Sequence, residues 1–348
     1  MHFTSDSKRR FVFGLLLVIA LLVGWFLHGI PLAQNNPPAE QSLAANVPVN
    51  AQTSPISSSL NSPTNVGAMP SLALNSVKFI QVKLTAGLHP GRGEPIPAAA
   101  DVRQLPVVDV TFYNWRGELL SGWLGLNAPQ APVIILTHGT PGNRMSMLQR
   151  AAFLYQHGYN VLLFDFQSYG RSQGVMSTLG MVESEDILAA ISFLHNLPDT
   201  MYSKIGVLGL SMGATAAVLA ASRSGDIVAL IAESCPDDAT RVVADVPDEA
   251  SREADQQLVE EVYGVDITQA RPIDYVSKLA GRTAIFFING DSDDITPLPG
   301  MRALYQAASD PKQYWVVPNA GHAQSIAVDP NGYMQRVDAF FDTYLLQV

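Results

Sequence analysis

The chain has 348 residues, 47% apolar and 15% charged, with 21 Lys and Arg against 31 Asp and Glu for a net charge of −10. This composition can bury a large core and is too apolar for a disordered chain, and its acidic balance lacks the basic footprint that tracks phosphate backbones, so nucleic acid is excluded as an expected partner. The single cysteine, Cys235, rules out an intramolecular disulfide, a zinc ribbon and an iron–sulfur centre.

Lys8-Arg9-Arg10 precede an uncharged apolar run from Phe11 to Leu27, which His28 to Ala33 extend to a length that crosses ~30 Å of hydrocarbon. The next Lys or Arg is Lys78. The positive-inside bias therefore places residues 1–10 in the cytoplasm, makes 11–33 a single membrane-spanning signal-anchor, and leaves everything after it extracytoplasmic. Pro31-Leu32-Ala33 supplies only one of the two small residues that a signal peptidase reads. A cleaved signal, releasing a secreted or periplasmic protein, and a buried core helix are the alternatives. Residues 34–75 hold six prolines, no aromatic residue and one charge, Glu40, so nothing offsets the entropy of ordering them. They are expected to form a disordered Pro/Asn/Ser-rich linker, with a poorly folded extra domain as the alternative.

The remaining 76–348 read as one domain. A strand is expected at 77–84, followed by loop to Leu105; within that loop Gly91 and Gly93 lack the third glycine of a dinucleotide fingerprint, Ile96 standing in its place. Apolar runs at 107–113 and 118–126 flank Asn114-Trp115-Arg116-Gly117 and read as a hairpin. Short apolar strands are then expected at 132–137, 160–165, 204–208, 227–232, 283–289 and 313–317, with helices at about 145–157, 178–196 and 212–222. Strands apolar on both faces that alternate with helices imply a parallel sheet covered on each side. Tyr333, Val337, Phe340, Phe341 and Tyr344 form a helical stripe near the C-terminus. Residues 236–280 are too long for a simple crossover and include an acidic helix at 248–264, so they are expected to form a small cap over the C-terminal edge of the sheet.

Gly209-Leu210-Ser211-Met212-Gly213 lies at the junction of the 204–208 strand and an alanine-rich helix. A turn this sharp strains its central residue, and side chains at the flanking positions would collide with strand and helix. Glycine at 209 and 213 relieves the crowding and leaves the Ser211 hydroxyl exposed at the tip. Serine is inert at neutral pH without a base. His322 follows the last strand, at the edge where Ser211 lies; His138 precedes the serine, and His2, His28, His89, His157 and His195 lie in the tail, the loop or on helices. A carboxylate must then hold the imidazole, and Asp291, Asp293 and Asp294 all follow the penultimate strand. Neither a phosphate loop nor a His-Glu-x-x-His helix occurs.

The segments 137–143, 164–172, 209–213 and 290–297 and Gly321-His322, taken in order, resemble the α/β-hydrolase superfamily over residues 106–345. The resemblance implies an α/β-hydrolase fold: a mostly parallel eight-stranded sheet with helices on both faces and a small helical cap at 236–280, here preceded by the N-terminal transmembrane helix. It puts the nucleophile on Ser211, the base on His322 and the acid on Asp293, with Asp294 and Asp291 as runners-up. Asp237 or Asp238 would serve if the acid came one strand earlier. It further implies an oxyanion hole from the backbone N–H groups of Thr140 and Met212, a structural role for His138, and no metal or organic cofactor. The short cap and the 165–172 segment look like serine hydrolases that act as esterases, acylhydrolases or peptidases. The expected activity is carboxylic-ester hydrolysis through an acyl-enzyme, on a small-molecule or lipid-like acyl substrate. An amide, peptide or thioester hydrolase, an acyltransferase and a non-catalytic binding module are the alternatives. One departure touches pocket shape: relatives carry Arg-Gly where Gln167-Ser168 stand here. Cys235, near the active edge, reads as a small buried apolar residue.

Overall fold

Apolar runs of five to seven residues, most with no polar face at all, can be satisfied only inside a sheet covered from both sides. In the computed structural model, which describes residues 92–198, 201–241 and 249–347, they form one eight-stranded sheet. The strands are β1 (Val108–Tyr113), β2 (Leu119–Gly125), β3 (Val133–Thr137), β4 (Asn160–Phe164), β5 (Ile205–Leu210), β6 (Ile227–Glu233), β7 (Ala284–Gly290) and β8 (Lys312–Val317). Their order is β1-β2-β4-β3-β5-β6-β7-β8. Only β2 runs against its neighbours β1 and β4; every other pair is parallel.

Side chains alternate faces along each strand, which divides the core in two. Val133, Ile135, Val207 and Phe287 pack with Ile187 of α2 (Met181–His195), Ala217 of α3 (Met212–Ala221) and Leu304 of α5 (Leu298–Ala307). Ile134, Leu136, Leu208 and Phe286 pack with Leu154 of α1 (Leu148–Gln156) and Phe340 of α7 (Pro330–Phe341). A cap helix, α4 (Glu249–Tyr263), lies within the expected cap, and a single turn, α6 (Ser325–Val328), precedes α7.

The strands and the first four helices follow the apolar pattern to within about three residues. The α2 helix starts at Met181 instead of Thr178, because the Glu183 carboxylate accepts from the backbone N–H groups of Thr178 and Gly180, both at 2.9 Å, and caps the helix there. The α5 helix has no counterpart among the expected elements. Pro299 and Gly300 in its first turn hide its periodicity, although proline is tolerated at that position. The expected tail, anchor and linker at 1–75 and the strand at 77–84 lie outside the described residues. Among the described residues no helix is long and apolar enough to cross a membrane. The parallel strands β3 to β8 end at one edge of the sheet, and their loops converge there.

Candidate active site

At the β5–α3 junction Ser211 adopts φ 55° and ψ −117°, a conformation that side chains avoid unless the surroundings enforce it. The surroundings are backbone. A Cβ on Gly209 would lie 2.6 Å from the Gly213 carbonyl oxygen, and one on Gly213 would lie 2.4 Å from that of Thr137. Both elbow glycines are therefore required by contact, and the Ser211 amide is tied across to β6 by a 2.9 Å hydrogen bond to the Glu233 carbonyl.

His322 approaches from the loop after β8. This loop passes so close to the end of β7 that a Cβ on Gly290 would meet the Ala320 carbonyl oxygen at 1.9 Å. Ala323, beside the histidine, donates its amide to Ser234 Oγ at 3.2 Å. The result is a continuous chain: Ser211 Oγ donates to His322 Nε2 at 2.9 Å, and His322 Nδ1 faces Asp293 Oδ1 and Oδ2 at 3.1 and 3.0 Å. A carboxylate only accepts, so the ring proton sits on Nδ1 and Nε2 is free to receive the serine proton.

Burial opposes the charge on Asp293, but hydrogen bonds from His322 and from the Thr296 amide and hydroxyl outweigh it and hold its pKa below the ordinary value. Thr296 is a site residue that the sequence reading did not single out; the Asp-x-x-Thr spacing of a side-chain-capped turn is the signal that marks it. The other acidic candidates are engaged elsewhere. Asp291 accepts from the Asn319 amide at 2.7 Å, and Asp294 is exposed. Asp237 pairs with Arg241 and Asp238 with Arg271.

Thr140 and Met212 line the same cleft as Ser211, together with Leu179, Ala239 and Ile295. The buried Tyr169 hydroxyl touches both: it donates to Met212 Sδ at 3.2 Å and hydrogen-bonds the Thr140 side chain. His138 is fully buried beneath them. Its Nδ1 faces the Gly139 carbonyl at 2.8 Å, its Nε2 accepts from the Phe166 amide at 3.2 Å, and burial lowers its pKa. Cys235 is buried and desolvation raises its pKa, which removes the thiolate form.

Such an arrangement can deprotonate a hydroxyl as it attacks an electrophilic carbon. Comparison with known proteins agrees with the architecture. Residues 95–246 match the model of the X-Pro dipeptidyl-peptidase (S15) family. An uncharacterized protein of Mycobacterium tuberculosis (strain ATCC 25618 / H37Rv) is 30% identical over 250 residues, 71% of this chain and 83% of the relative. The uncharacterized protein YqkD of Bacillus subtilis is 27% identical over 218 residues, 60% of this chain and 70% of its own. Among solved structures, the Pyrococcus furiosus esterase Pf2001 aligns with a TM-score of 0.60 at 25% identity, covering 74% of this chain and 99% of the esterase. With its strand order, its strained elbow and a relative of this extent, the chain belongs to the α/β-hydrolase superfamily and is a hydrolase.

Proposed function

We propose that this protein is a serine hydrolase that cleaves carboxylic esters through a covalent acyl-enzyme at Ser211. The observation that carries the reading is the unbroken hydrogen-bond chain from Ser211 Oγ through His322 to Asp293 at the tip of a strained strand–helix turn. In this mechanism Ser211 Oγ attacks the substrate carbonyl carbon as its proton passes to His322 Nε2. Asp293 keeps its charge, orients the ring and stabilises the imidazolium. The backbone N–H groups of Thr140 and Met212 receive the developing oxyanion, a role in which one lost donor typically costs about 10²–10³ in rate. His322 then protonates the leaving alcohol, and the bond between the acyl carbon and the alcohol oxygen breaks. In the second half His322 removes a proton from water as the water oxygen attacks the acyl carbon; the bond between that carbon and Ser211 Oγ then breaks, His322 returns the proton to Oγ, and the acid leaves.

The choice of ester is supported by the small cap and by the esterase among the similar folds. An amide or peptide substrate is the second reading, favoured by the match of residues 95–246 to a peptidase family. The proposal includes residues 11–33 as a membrane anchor that holds the enzyme outside the cytoplasm; its support is the uncharged apolar run behind a one-sided basic flank.

The test compares the full chain with Ser211→Ala. Both are treated with a fluorescent fluorophosphonate and then assayed on a p-nitrophenyl ester and the matched p-nitroanilide. Labelling of the parent alone, with turnover of the ester well above the anilide, is the expected result. Anilide turnover equal to or above ester turnover moves the assignment to amides, and a folded parent that neither labels nor turns over overturns it.

A further inference from the structure

Gln167, the residue that departs from the family pattern, is fully buried, and its described hydrogen bonds run to Asp186, Met176 and Tyr263. Its amide donates to Asp186 Oδ2 at 2.8 Å, and its Nε2 donates to the Met176 carbonyl at 2.5 Å. Its Oε1 accepts from the Tyr263 hydroxyl at 2.7 Å. Tyr263 is the last residue of the cap helix α4, and it too is buried; the amides of Val175 and Met176 donate to its oxygen at 3.2 and 3.1 Å. Arg116, at the tip of the β1–β2 hairpin, completes the fastening. Its guanidinium lies 4.5 Å over the Tyr263 ring and donates to the Val262 and Tyr263 carbonyls at 2.6 and 2.9 Å, where the helix leaves carbonyls without intrahelical partners and where a cation is electrostatically favoured.

This fastening sits next to the substrate cleft. Tyr263 belongs to a small apolar cluster, separate from the two main cores, with Met176, Val259, Leu179 and Ala239. Leu179 and Ala239 also line the cleft beside Ser211. The position of the helix therefore sets the position of one wall. The cleft has a volume of about 70 Å³, and Leu179 and Ala239 form the side of it nearest the cap cluster. A longer acyl chain running toward the cap presses on the Leu179–Ala239 layer, which packs with Val259 and Tyr263 of α4.

We propose that Gln167 and Tyr263 are specificity-determining residues: they latch the cap helix onto the sheet-side loop and thereby restrict the enzyme to short acyl groups. The inference rests on the ester-hydrolase reading above. Neither residue touches the reacting atoms, so the latch acts on which substrate fits and leaves the order of chemical steps alone.

The experiment uses the full chain and two variants, Tyr263→Phe, which removes only the latch hydroxyl, and Gln167→Leu, which removes its partner. Each is assayed for kcat and KM on p-nitrophenyl acetate, butyrate and octanoate, and hydrogen exchange is followed over residues 249–263. The expected result is faster exchange in that helix together with a rise of about tenfold in the octanoate-to-acetate ratio of kcat/KM, carried by a lower KM for octanoate, in both variants. An unchanged ratio with faster exchange overturns the specificity role, and unchanged exchange overturns the latch. An equal fall on all three esters assigns the pair to stability alone and also overturns it. A parent that does not label with fluorophosphonate removes the ester reading first, and this inference falls with it for that separate reason.

Discussion

Asp293 keeps a charge where burial alone would take it away, and three donors decide the balance: the His322 ring and the amide and hydroxyl of Thr296. Asp293→Asn replaces an acceptor with a group that can donate, so the ring proton moves to Nε2 and Ser211 faces a nitrogen that cannot take its proton. The expected outcome is a fall in kcat of about 10⁴ with KM little changed, measured on a short p-nitrophenyl ester. The same residue predicts an acid limit. Its folded pKa lies below the unfolded one, so its stabilisation is complete above the unfolded value of about 4 and is lost as pH falls through the folded one. Thermal melts of the parent between pH 5 and 2 should therefore drop more steeply than those of Asp293→Asn, and parallel curves would refute the linkage.

Helix α4 carries an opposite case. Asp255 is 2% exposed, and its Oδ1 has no hydrogen-bond partner among the described residues. Burial raises its pKa to about 6. A carboxyl whose folded pKa is raised binds protons more readily folded than unfolded, so stability falls as pH rises from the unfolded value of about 4 to about 6 and stays reduced above it. Asp255→Asn should raise Tm by about 2 °C or more at pH 8 and leave it nearly unchanged at pH 4, and an equal gain at both would assign the effect to something other than charge. Elements of this kind mark the limit of what pattern reading delivers. Strands β3 to β7 were legible because a parallel sheet leaves them no polar face, and Ser211 and His322 because chain order puts both at one edge. The choice of Asp293 over Asp291 and Asp294 was not legible from the residues themselves, since three carboxylates within four positions differ only in how the loop turns, and Thr296 determines that turn. Helix α5 was hidden by Pro299 and Gly300, whose low helix propensity is overridden by the burial of Met301 and Leu304. The role of Gln167 depends on Tyr263, 96 residues away, and no local pattern contains such a pairing.

Across the whole molecule, two helices that cover the same face of the sheet are joined at the active edge by buried charge. Arg150 of α1 donates to both oxygens of Glu233 at 2.8 and 3.0 Å, and the Tyr333 hydroxyl of α7 donates to the same carboxylate at 2.7 Å. The Glu233 backbone carbonyl meanwhile holds the Ser211 amide, so one residue links two helices to the elbow. A second buried pair, Arg144 with Asp165 at 2.7 Å, fixes the loop that begins with the strand-end aspartate. Removing one partner of such a pair strands a charge at a cost of about 3–5 kcal/mol. The candidate site is thus built from long-range contacts: 111 residues separate Ser211 from His322, and 29 separate His322 from Asp293. No contiguous stretch of the chain shorter than that span contains it. Forming such distant contacts requires closing long loops first, and this slows their appearance relative to local structure. During refolding, helical circular dichroism should therefore recover before fluorophosphonate labelling does, and simultaneous recovery would count against this order. On the proposed reading of Ser211, a nascent chain is accordingly silent until β8 and the loop behind it have joined the sheet, which makes labelling of that serine a reporter of the moment at which the last strand is in place.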